Sequence, residues 1–345
     1  MAFYEGIKLE KGMYTVGGKN FTNVLEEMDP SENYKGTELE GLDAYQRQLK
    51  RFNIKVSGTN CDKVEKFFSS HDTAVLFPEY IARAVRQGIK SSNALDHVTA
   101  VRTNIDAIDY RAVSYETQNV TGNSISEGAT MPSVNVKNKN TLVSLTKHGR
   151  LFSSTYEALR FQNLDVLTII LGKIGEDIAA EQFADAVEVL LNGDGTAADK
   201  ATEIQASYPS PAPSSAKLSY EHLLQLWESL GVYNLNTMVT SAATMREILS
   251  LTEMKDANAG LNFQGTGNVV TPMGANLLKS DKVSDNCIIG FDRNKALQLI
   301  QYGNVVIDYD KVIDRQLDRA SISVTAGFTR IFKDAVKILN YALPN

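Results

Sequence analysis

Residues 164–196 read LDVLTIILGKIGEDIAAEQFADAVEVLLNGDGT, and this stretch decides the predicted fold. Its apolar side chains recur at steps of three and four residues, the spacing of one face of an amphipathic helix. The positions are Leu164, Leu167, Leu171, Ile174 and Ile178, continued by Phe183, Val187, Leu190 and Leu191. A helix over 164–191 is roughly 40 Å long at 1.5 Å per residue. We expect a helix of that length to be a structural spine.

The end of this stretch has the partial pattern of a calcium-binding loop. Oxygen ligands at loop positions one, three, five and twelve would come from Asn192, Asp194, Thr196 and Glu203. However, the sixth position is Ala197, where such a loop needs glycine, and the SYPSPAPSS that follows cannot form the second helix. A G-x-G-x-x-A dinucleotide motif is also present, but it follows a helix instead of a strand. The sequence favours a glycine stop at Gly193 and Gly195 that needs no ligand.

Composition and charge narrow the class of protein. The 345 residues are 43% hydrophobic and 22% charged, which is ordinary for a globular chain of two or three domains. A net charge of -6 argues against a protein whose main function is to bind nucleic-acid phosphates. Apolar runs such as VLTIILG are too short to span a bilayer. Cys61 and Cys287 lie far apart without a CxxC spacing, which predicts buried thiols instead of a zinc site or a disulfide.

Before the spine, the chain divides into a polar arm, a short helix and a candidate β-ribbon. Residues 1–70 contain charged helical stretches and predict an extended arm without a core of its own. The stretch FPEYIARAVRQGI predicts a short helix after Pro78. β-Branched residues increase over 98–115, the turn-rich NVTGNSISEGATMPSV follows, and TLVSLTKHGRLF predicts a second strand. Because an isolated two-stranded ribbon is marginal in water, we expect this one to lie against another surface.

After the spine, helices and strands alternate. SYPSPAPSSAKLS predicts a linker, YEHLLQLWESLG a helix ended by Gly231, and NTMVTS a strand that feeds the helix AATMREILSLTE. Beyond the glycine-rich NFQGTGNVVTPMG, short strands are expected at CIIGF, ALQLIQYG and NVVIDYD. From Ala320 to Phe328 every second residue is apolar, the period of a half-buried strand. The segment KDAVKILNY predicts a closing helix.

The sequence offers no constellation for catalysis. His71, His97, His148 and His222 are scattered without metal-site spacing and are expected to be surface or hydrogen-bonded residues. The chain has neither a GxSxG elbow nor a Walker phosphate loop, which the corresponding hydrolases and nucleoside triphosphatases need. We predict no enzyme activity, no catalytic residue, no cofactor and no metal.

The order of these elements resembles the major capsid protein of tailed bacteriophages, the Hong Kong 97-type fold. The resemblance covers roughly residues 70–345 and rests on LFPEYIARAVRQGI, on LFSSTYEALRFQN followed by the spine and its NGDGT end, on CIIGFDRNKALQLIQYGNVVIDYD and on RASISVTAGFTRIFKDAVKIL. It implies an α+β protein with an N-terminal arm at 1–70, a peripheral domain at 71–214, an axial domain at 215–315 and a C-terminal strand and helix at 316–345. Within the peripheral domain it implies an extended loop at 110–150 and a spine helix at 164–191.

The resemblance also implies how copies of the chain would meet. In that family the extended loop reaches over a neighbouring subunit, and the axial domain surrounds the five- and six-fold positions. A ribbon that is unstable alone gains a partner in this way, and repeated heterologous contacts close into rings and then a shell. Leu142, Val143 and Leu145 would be inter-subunit contacts, so replacing any of them by Asp is expected to impair assembly more than folding.

The implied function is that of a structural subunit that assembles into hexamers and pentamers of an icosahedral phage head around double-stranded DNA. The partners would be further copies, a scaffolding protein, a portal and decoration proteins, with DNA contacted non-specifically and no membrane. The shell would form in the bacterial host cytoplasm and become the virion capsid. Some members carry a cross-linking lysine in the extended loop. Lys137 and Lys139 lie there, but no Asn or Glu partner follows from a motif, which favours ordinary solvated lysines.

Two alternatives stay open from the sequence. An encapsulin-type compartment that houses cargo enzymes shares the fold, although encapsulins generally lack a long N-terminal arm such as residues 1–70. The other is a cytosolic α/β enzyme or ligand-binding protein with its site in 215–315, against which the missing catalytic constellation counts.

Overall fold

Helices and strands alternate along the chain in the computed structural model, which describes residues 3–14, 19–92, 94–117, 134–139, 141–194, 200–208, 216–255 and 274–343. The described helices are α1 (Phe21–Met28), α2 (Ala44–Arg51), α3 (His71–Ser92), α4 (Tyr156–Arg160), α5 (Leu164–Asn192), α6 (Tyr220–Ser229), α7 (Ala242–Ser250), α8 (Thr252–Lys255) and α9 (Arg293–Ala296). The described strands are β1 (Val101–Ile105), β2 (Val113–Thr117), β3 (Val134–Asn138), β4 (Leu145–Thr155), β5 (Thr202–Gln205), β6 (Thr237–Thr240), β7 (Asn276–Lys279), β8 (Cys287–Phe291), β9 (Leu297–Val312), β10 (Leu317–Arg330) and β11 (Val336–Asn340). This mixture confirms the predicted α+β class.

Internal packing divides the chain into two units. Unit 1 comprises Met1–Ser92, Lys147–Ala179 and Gly303–Thr325. Unit 2 comprises Asn93–Thr146, Ala180–Tyr302 and Ala326–Asn345. The long elements α5, β9 and β10 contribute residues to both units.

Helix α5 is the predicted spine. It begins at Leu164 and ends at Asn192, one residue beyond the predicted end. Gly193 has a φ of 81°, and its N–H donates to the carbonyl oxygen of Val189 over 2.9 Å. This left-handed residue closes the last turn, so the predicted glycine stop is confirmed at Gly193. Gly195 lies outside the described residues.

Helix α3 begins at His71, although the sequence predicted a helix that starts only after Pro78. Proline lacks an N–H and normally interrupts a helix at this depth. Here the hydroxyl of Tyr14 accepts from the N–H of Glu79 over 3.1 Å and donates to the carbonyl oxygen of Val75 over 2.7 Å. An inserted side chain therefore satisfies the backbone beside the proline and lets the helix run through it.

The first 70 residues differ from the expected extended arm because they pack into the core of unit 1. Their buried apolar residues are Ile7, Leu9, Phe21, Leu25, Tyr34, Ala44, Tyr45, Leu49, Ile54, Val64 and Phe67. Most of them join one cluster with α3 residues such as Phe77 and Ile81. The described residues of this segment share a core with α3.

Helices α3 and α5 approach closely within unit 1 at glycines. A Cβ added to Gly88 would lie 2.1 Å from the carbonyl oxygen of Gly172, and one added to Gly175 would lie 2.3 Å from the carbonyl oxygen of Val85. Such distances are far inside van der Waals contact. Side chains at Gly88 or Gly175 would therefore push the two helices apart.

Unit 2 contains a five-stranded sheet in the order β5-β11-β8-β6-β7. Adjacent residues of its central strands enter different cores, as Ile288 and Ile289 of β8 illustrate. Helix α5 packs on one face through residues such as Val187, and α6 and α7 cover the other through residues such as Leu226. The sheet is therefore buried on both faces, and the predicted strands in NTMVTS and CIIGF are confirmed.

The closing helix predicted for KDAVKILNY is wrong. Lys333–Ala335 form a single 3-10 turn, and β11 then pairs with β5 in parallel and with β8 antiparallel. Val336, Ile338 and Leu339 are buried by the two cores that flank the sheet. Partners distant in sequence override the local helical pattern of this short segment.

A four-stranded sheet has the order β1-β9-β10-β4. The alternation predicted for β10 is confirmed, because the residues buried there are Ala320, Ile322, Val324, Ala326 and Phe328. The runs ALQLIQYG and NVVIDYD, predicted as separate strands, lie in the single 16-residue strand β9.

The predicted ribbon exists, but its second strand differs from the predicted one. Strand β2 pairs antiparallel with β3, and Val113 lies opposite Asn138. Most of the run TLVSLTKHGRLF, which was predicted as the partner, lies instead in β4 of the four-stranded sheet. Residues 118–133, which include most of the predicted tip, lie outside the described residues.

Candidate functional site

The β2–β3 ribbon presents apolar side chains on an exposed face. Because directly opposed residues of an antiparallel pair share a face, the register puts Val113 and Val136 on one face and Lys137 on the other. Val113 is 47% exposed and Val136 is 65% exposed. The chain's own described residues therefore leave much of these two side chains open to contact.

The base of the ribbon is held to the rest of unit 2 by a small apolar cluster. Ala112, Val143 and Ile300 are buried there, with Tyr110 and Leu145 among the residues packed against them. Two backbone hydrogen bonds cross the base, from Lys139 N–H to the oxygen of Ala112 over 2.7 Å and from Val143 N–H to the oxygen of Tyr110 over 3.0 Å. The ribbon thus leaves unit 2 from a fixed base.

The three predicted contact residues differ in their surroundings. Leu142 is 50% exposed, Val143 is 5% exposed within the apolar cluster, and Leu145 is half-buried beside it. Gly327 of β10 lies against this segment, since a Cβ there would lie 2.5 Å from the carbonyl oxygen of Ser144. Leu142 is the member of the trio that another molecule can reach most easily, and its role as an inter-subunit contact stays a prediction.

Lys139, the residue after β3, joins the ribbon to the end of the spine. Its Nζ donates to Asp194 Oδ2 over 2.7 Å, to the carbonyl oxygen of Arg330 over 2.9 Å and to Thr329 Oγ1 over 3.1 Å. Asp194 follows the glycine stop of α5, and Thr329 and Arg330 end β10. Lys139 is therefore not the solvated lysine that the sequence favoured.

Asp194 is held ionised by this arrangement. Burial opposes its ionisation, but hydrogen bonds from Lys139 and Thr329 outweigh burial and lower the pKa of its carboxyl group. The carboxylate considered for a calcium loop is thus bound to a lysine and a hydroxyl. Glu203, another residue of that pattern, lies in β5 and accepts from Asn340. Thr196 lies outside the described residues.

Sequence reasoning missed the link between Lys139 and Asp194. The two residues are 55 positions apart, and Thr329 is 190 positions from Lys139. The available signals were two lysines in a predicted ribbon and an aspartate in a helix stop. Neither local pattern indicates the other.

A second apolar surface lies on the spine in unit 1. The periodic residues predicted to face a core do so there, with Leu164, Leu167 and Leu171 fully or nearly fully buried. The opposite side is also apolar, because Val166, Ile169 and Ile170 are exposed, Ile169 by 72%. A helix with apolar residues on both sides has a surface that its own chain leaves uncovered.

The described part of the chain contains no His, Cys, Asp and Glu cluster of three or more that could hold a metal ion. Within the same ranges, no helix is long and apolar enough to cross a bilayer. His222 is buried and hydrogen-bonded, and a hydrogen-bonded side chain is one of the two environments that the sequence predicts for the histidines. Its Nδ1 accepts from the N–H of Ser219, which leaves Nε2 to donate to the oxygen of Ser207 over 3.1 Å.

The fold is similar to those of solved shell structures. The capsid of a native GTA particle matches with a TM-score of 0.52 and 16% identity, over 73% of this chain and 91% of that chain. A virus-like particle from Pyrococcus furiosus matches with a TM-score of 0.50 and 12% identity, over 76% of this chain and 98% of that chain. This likeness confirms the Hong Kong 97-type fold that the order of elements predicted. No curated protein matches the sequence significantly.

A match to a protein family adds the biological role. The sequence profile of the family described as phage capsid protein matches residues 138–327, a stretch that includes Lys139, the spine and most of β10. Such a protein is a structural component of a capsid shell and assembles with further copies of itself in the virion capsid. Because the match covers more than half of the sequence, the chain belongs to the phage capsid protein family.

Proposed function

We propose that the protein is the major capsid protein of a tailed phage. Its copies form hexamers and pentamers of an icosahedral head shell that encloses double-stranded DNA, and assembly takes place in the cytoplasm of the bacterial host. A scaffolding protein, a portal and decoration proteins are the further partners. The shell contacts DNA non-specifically, and a net charge of -6 suits a wall that does not bind DNA tightly at every point.

The observation that carries this proposal is the exposed apolar side of the β2–β3 ribbon. A two-stranded ribbon gains little stability from its own contacts, and apolar surface left in water favours association. Val113 and Val136 of the ribbon, and Leu142 four residues beyond β3, are all about half exposed or more. A neighbouring copy that accepts the ribbon would cover them, and the same contact repeated around a ring would build a closed shell.

The proposal assigns a role to each part of the chain. Residues 1–70 are the N-terminal segment, 71–214 the peripheral domain, 215–315 the axial domain, and 316–345 complete both. Residues 110–150 form the extended loop that reaches a neighbouring subunit, and 164–191 form the spine. Leu142, Val143 and Leu145 lie at the contact with that neighbour.

Leu142 allows an experiment that separates assembly from folding. Leu142→Asp places a charge in the proposed contact with the neighbouring copy. Thr141→Asp is the control, because it adds the same charge to the adjacent exposed residue. We expect Leu142→Asp to prevent shells in electron micrographs and to leave subunits in size-exclusion chromatography. Both variants should keep the unfolding free energy within about 0.5 kcal/mol of the unmodified chain. Val143 is already buried in its own unit, so a charge there would disturb folding and blur the result.

Two results would contradict these proposals. Shells from Leu142→Asp that match those from Thr141→Asp would remove the proposed role of the ribbon. An unmodified chain that stays monomeric at every salt concentration, with and without a scaffolding protein, would contradict the proposed function itself.

An encapsulin-type compartment that houses cargo enzymes is the second candidate, because compartments of that type share the Hong Kong 97-type fold. Both candidates predict shells, so the contents decide between them. Particles from a phage-infected or induced host should contain nuclease-protected double-stranded DNA if the protein builds a phage head. Particles that hold a co-purifying enzyme and no DNA would favour the compartment.

A further inference from the structure

The attachment of the β2–β3 ribbon combines two kinds of contact with different physical properties. The apolar cluster around Ala112, Val143 and Ile300 is stabilised by burial, which has little dependence on direction. The ammonium group of Lys139 instead donates to three acceptors at 2.7 to 3.1 Å. Hydrogen bonds weaken steeply when their angles change, so these three contacts define an orientation.

The acceptors belong to structure outside the ribbon. Asp194 follows α5, and Thr329 and Arg330 end β10. The side chain of Lys139, the residue after β3, therefore connects the ribbon to the ends of two long elements. Lys139 is 20% exposed and Asp194 is 6% exposed. Since all three donors of the ammonium group have partners, the lysine has no hydrogen bond left to gain by moving.

We propose that Lys139, with Asp194, Thr329 and Arg330, is a latch that sets the angle at which the ribbon leaves unit 2. In the latched state the three hydrogen bonds hold the ribbon in one orientation. Without them the apolar cluster keeps the ribbon attached, but the ribbon turns about that cluster. The latch is therefore a conformational device in which one charged side chain controls the direction of an assembly element.

Hydrogen exchange on the full-length, unassembled chain tests the latch directly. Lys139→Met keeps much of the length of the side chain and removes its donors. Lys137→Met is the matched control, because Lys137 lies two residues earlier in β3 and is exposed. We expect Lys139→Met to speed exchange of the amides in 113–117 and 134–139 by about tenfold more than it speeds exchange in α5 and β10. Lys137→Met should change the ribbon rates much less than Lys139→Met does.

Two results would overturn the latch. One is equal ribbon exchange in both lysine variants. The other is an equal acceleration of exchange in α5, β10 and the ribbon in Lys139→Met, which would make the lysine a general support of unit 2. If Lys139→Met does not fold, Asp194→Ala replaces it, because alanine removes the acceptor that lies nearest to Lys139 Nζ. The same two results would then overturn the proposal.

Shell geometry provides a further readout that rests on the proposed function. An unlatched ribbon should meet its neighbour at varied angles, so Lys139→Met should give shells of more variable diameter in electron micrographs than Lys137→Met. Uniform shells from Lys139→Met would count against control of assembly by the latch. Absence of shells from the unmodified chain would count against the proposed function alone, because the exchange experiment does not require assembly.

Discussion

Charged side chains in the interior of this protein are held by specific partners. Asp29 and Arg47 are both fully buried, and Arg47 Nε donates to Asp29 Oδ2 over 2.7 Å. Removing one member of such a pair typically costs about 3–5 kcal/mol, because it leaves the other charge uncompensated. Lys139 and Asp194 form a similar, slightly more accessible pair. In both pairs, a buried charged side chain has an oppositely charged partner within hydrogen-bond distance.

The Lys139–Asp194 pair makes stability depend on pH. Burial alone would raise the pKa of Asp194, but hydrogen bonds lower it below the value of about 3.9 typical of an unfolded chain. The ionised carboxylate therefore contributes its full stabilisation above that value, and the contribution is lost as the pH falls through the lower folded-state pKa. Unmodified protein should be more stable than Asp194→Asn near neutral pH, and the difference should shrink below about pH 4.

Urea denaturation of both proteins across this pH range measures the difference in unfolding free energy. Asp194→Asn serves as its own reference, because every other titrating group is shared by the two chains. A difference that persists undiminished well below pH 4 would contradict ionisation of Asp194 as its source.

At the scale of elements, α3 contains a joint at Pro78 that only another segment can complete. Burial raises the pKa of Tyr14, so its hydroxyl stays protonated and can both accept from Glu79 N–H and donate to the oxygen of Val75. The Tyr14 ring stacks on Phe21 with centroids 4.4 Å apart, which fixes where the hydroxyl lies. The N-terminal segment thus supplies a hydrogen-bonding group beside the proline of α3.

This joint predicts energetic coupling between Tyr14 and Pro78. Tyr14→Phe keeps the ring and leaves buried backbone groups without the hydroxyl, so it should cost about 1–3 kcal/mol. In a Pro78→Ala background the helix can close its own hydrogen bonds, and the same substitution should cost less by about 0.5 kcal/mol or more. Unfolding free energies of the four chains give the coupling.

Tyr341→Phe is the control for this cycle. Its buried hydroxyl also makes hydrogen bonds, to Thr244 and Glu247, but it lies in unit 2. Its effect should add to that of Pro78→Ala without coupling. Equal coupling in both cycles, or none in the Tyr14 cycle, would mean that Tyr14 does not complete the joint.

Local periodicity predicted those elements whose burial follows a regular pattern. The steps of three and four in α5 and the alternation in β10 are both visible in sequence, because each element buries one side along its length. The pairing of β2 with β3 was not visible, since several nearby runs have strand character and 16 residues separate the two strands in sequence. The strand β11 was missed because its neighbours β5 and β8 are distant in sequence. The same reason hid the contact between Lys139 and Asp194.

At the scale of the whole molecule, the N-terminal segment is part of the folded structure. Apolar residues of α1, α2 and the 3-10 helix Val64–Phe68 are buried in the same cluster as those of α3, α5 and β10. Polar contacts add to this, as the guanidinium of Arg83 in α3 donates to Asp43 and Thr22. Composition suggested an arm, because charged and other polar residues separate the apolar ones that the core uses.

Removal of residues 1–54 should therefore abolish the folded subunit instead of trimming it. The deletion takes Leu9, Phe21, Leu25, Tyr45 and Leu49 out of the core. Replacing a single buried leucine by alanine costs about 2–5 kcal/mol, and whole domains are stable by only about 5–15 kcal/mol. A chain of residues 55–345 should lack a cooperative unfolding transition in circular dichroism, whereas full-length Leu25→Ala should keep one at lower denaturant. A shortened chain that unfolds as cooperatively as the full one would show instead that the segment is a dispensable arm.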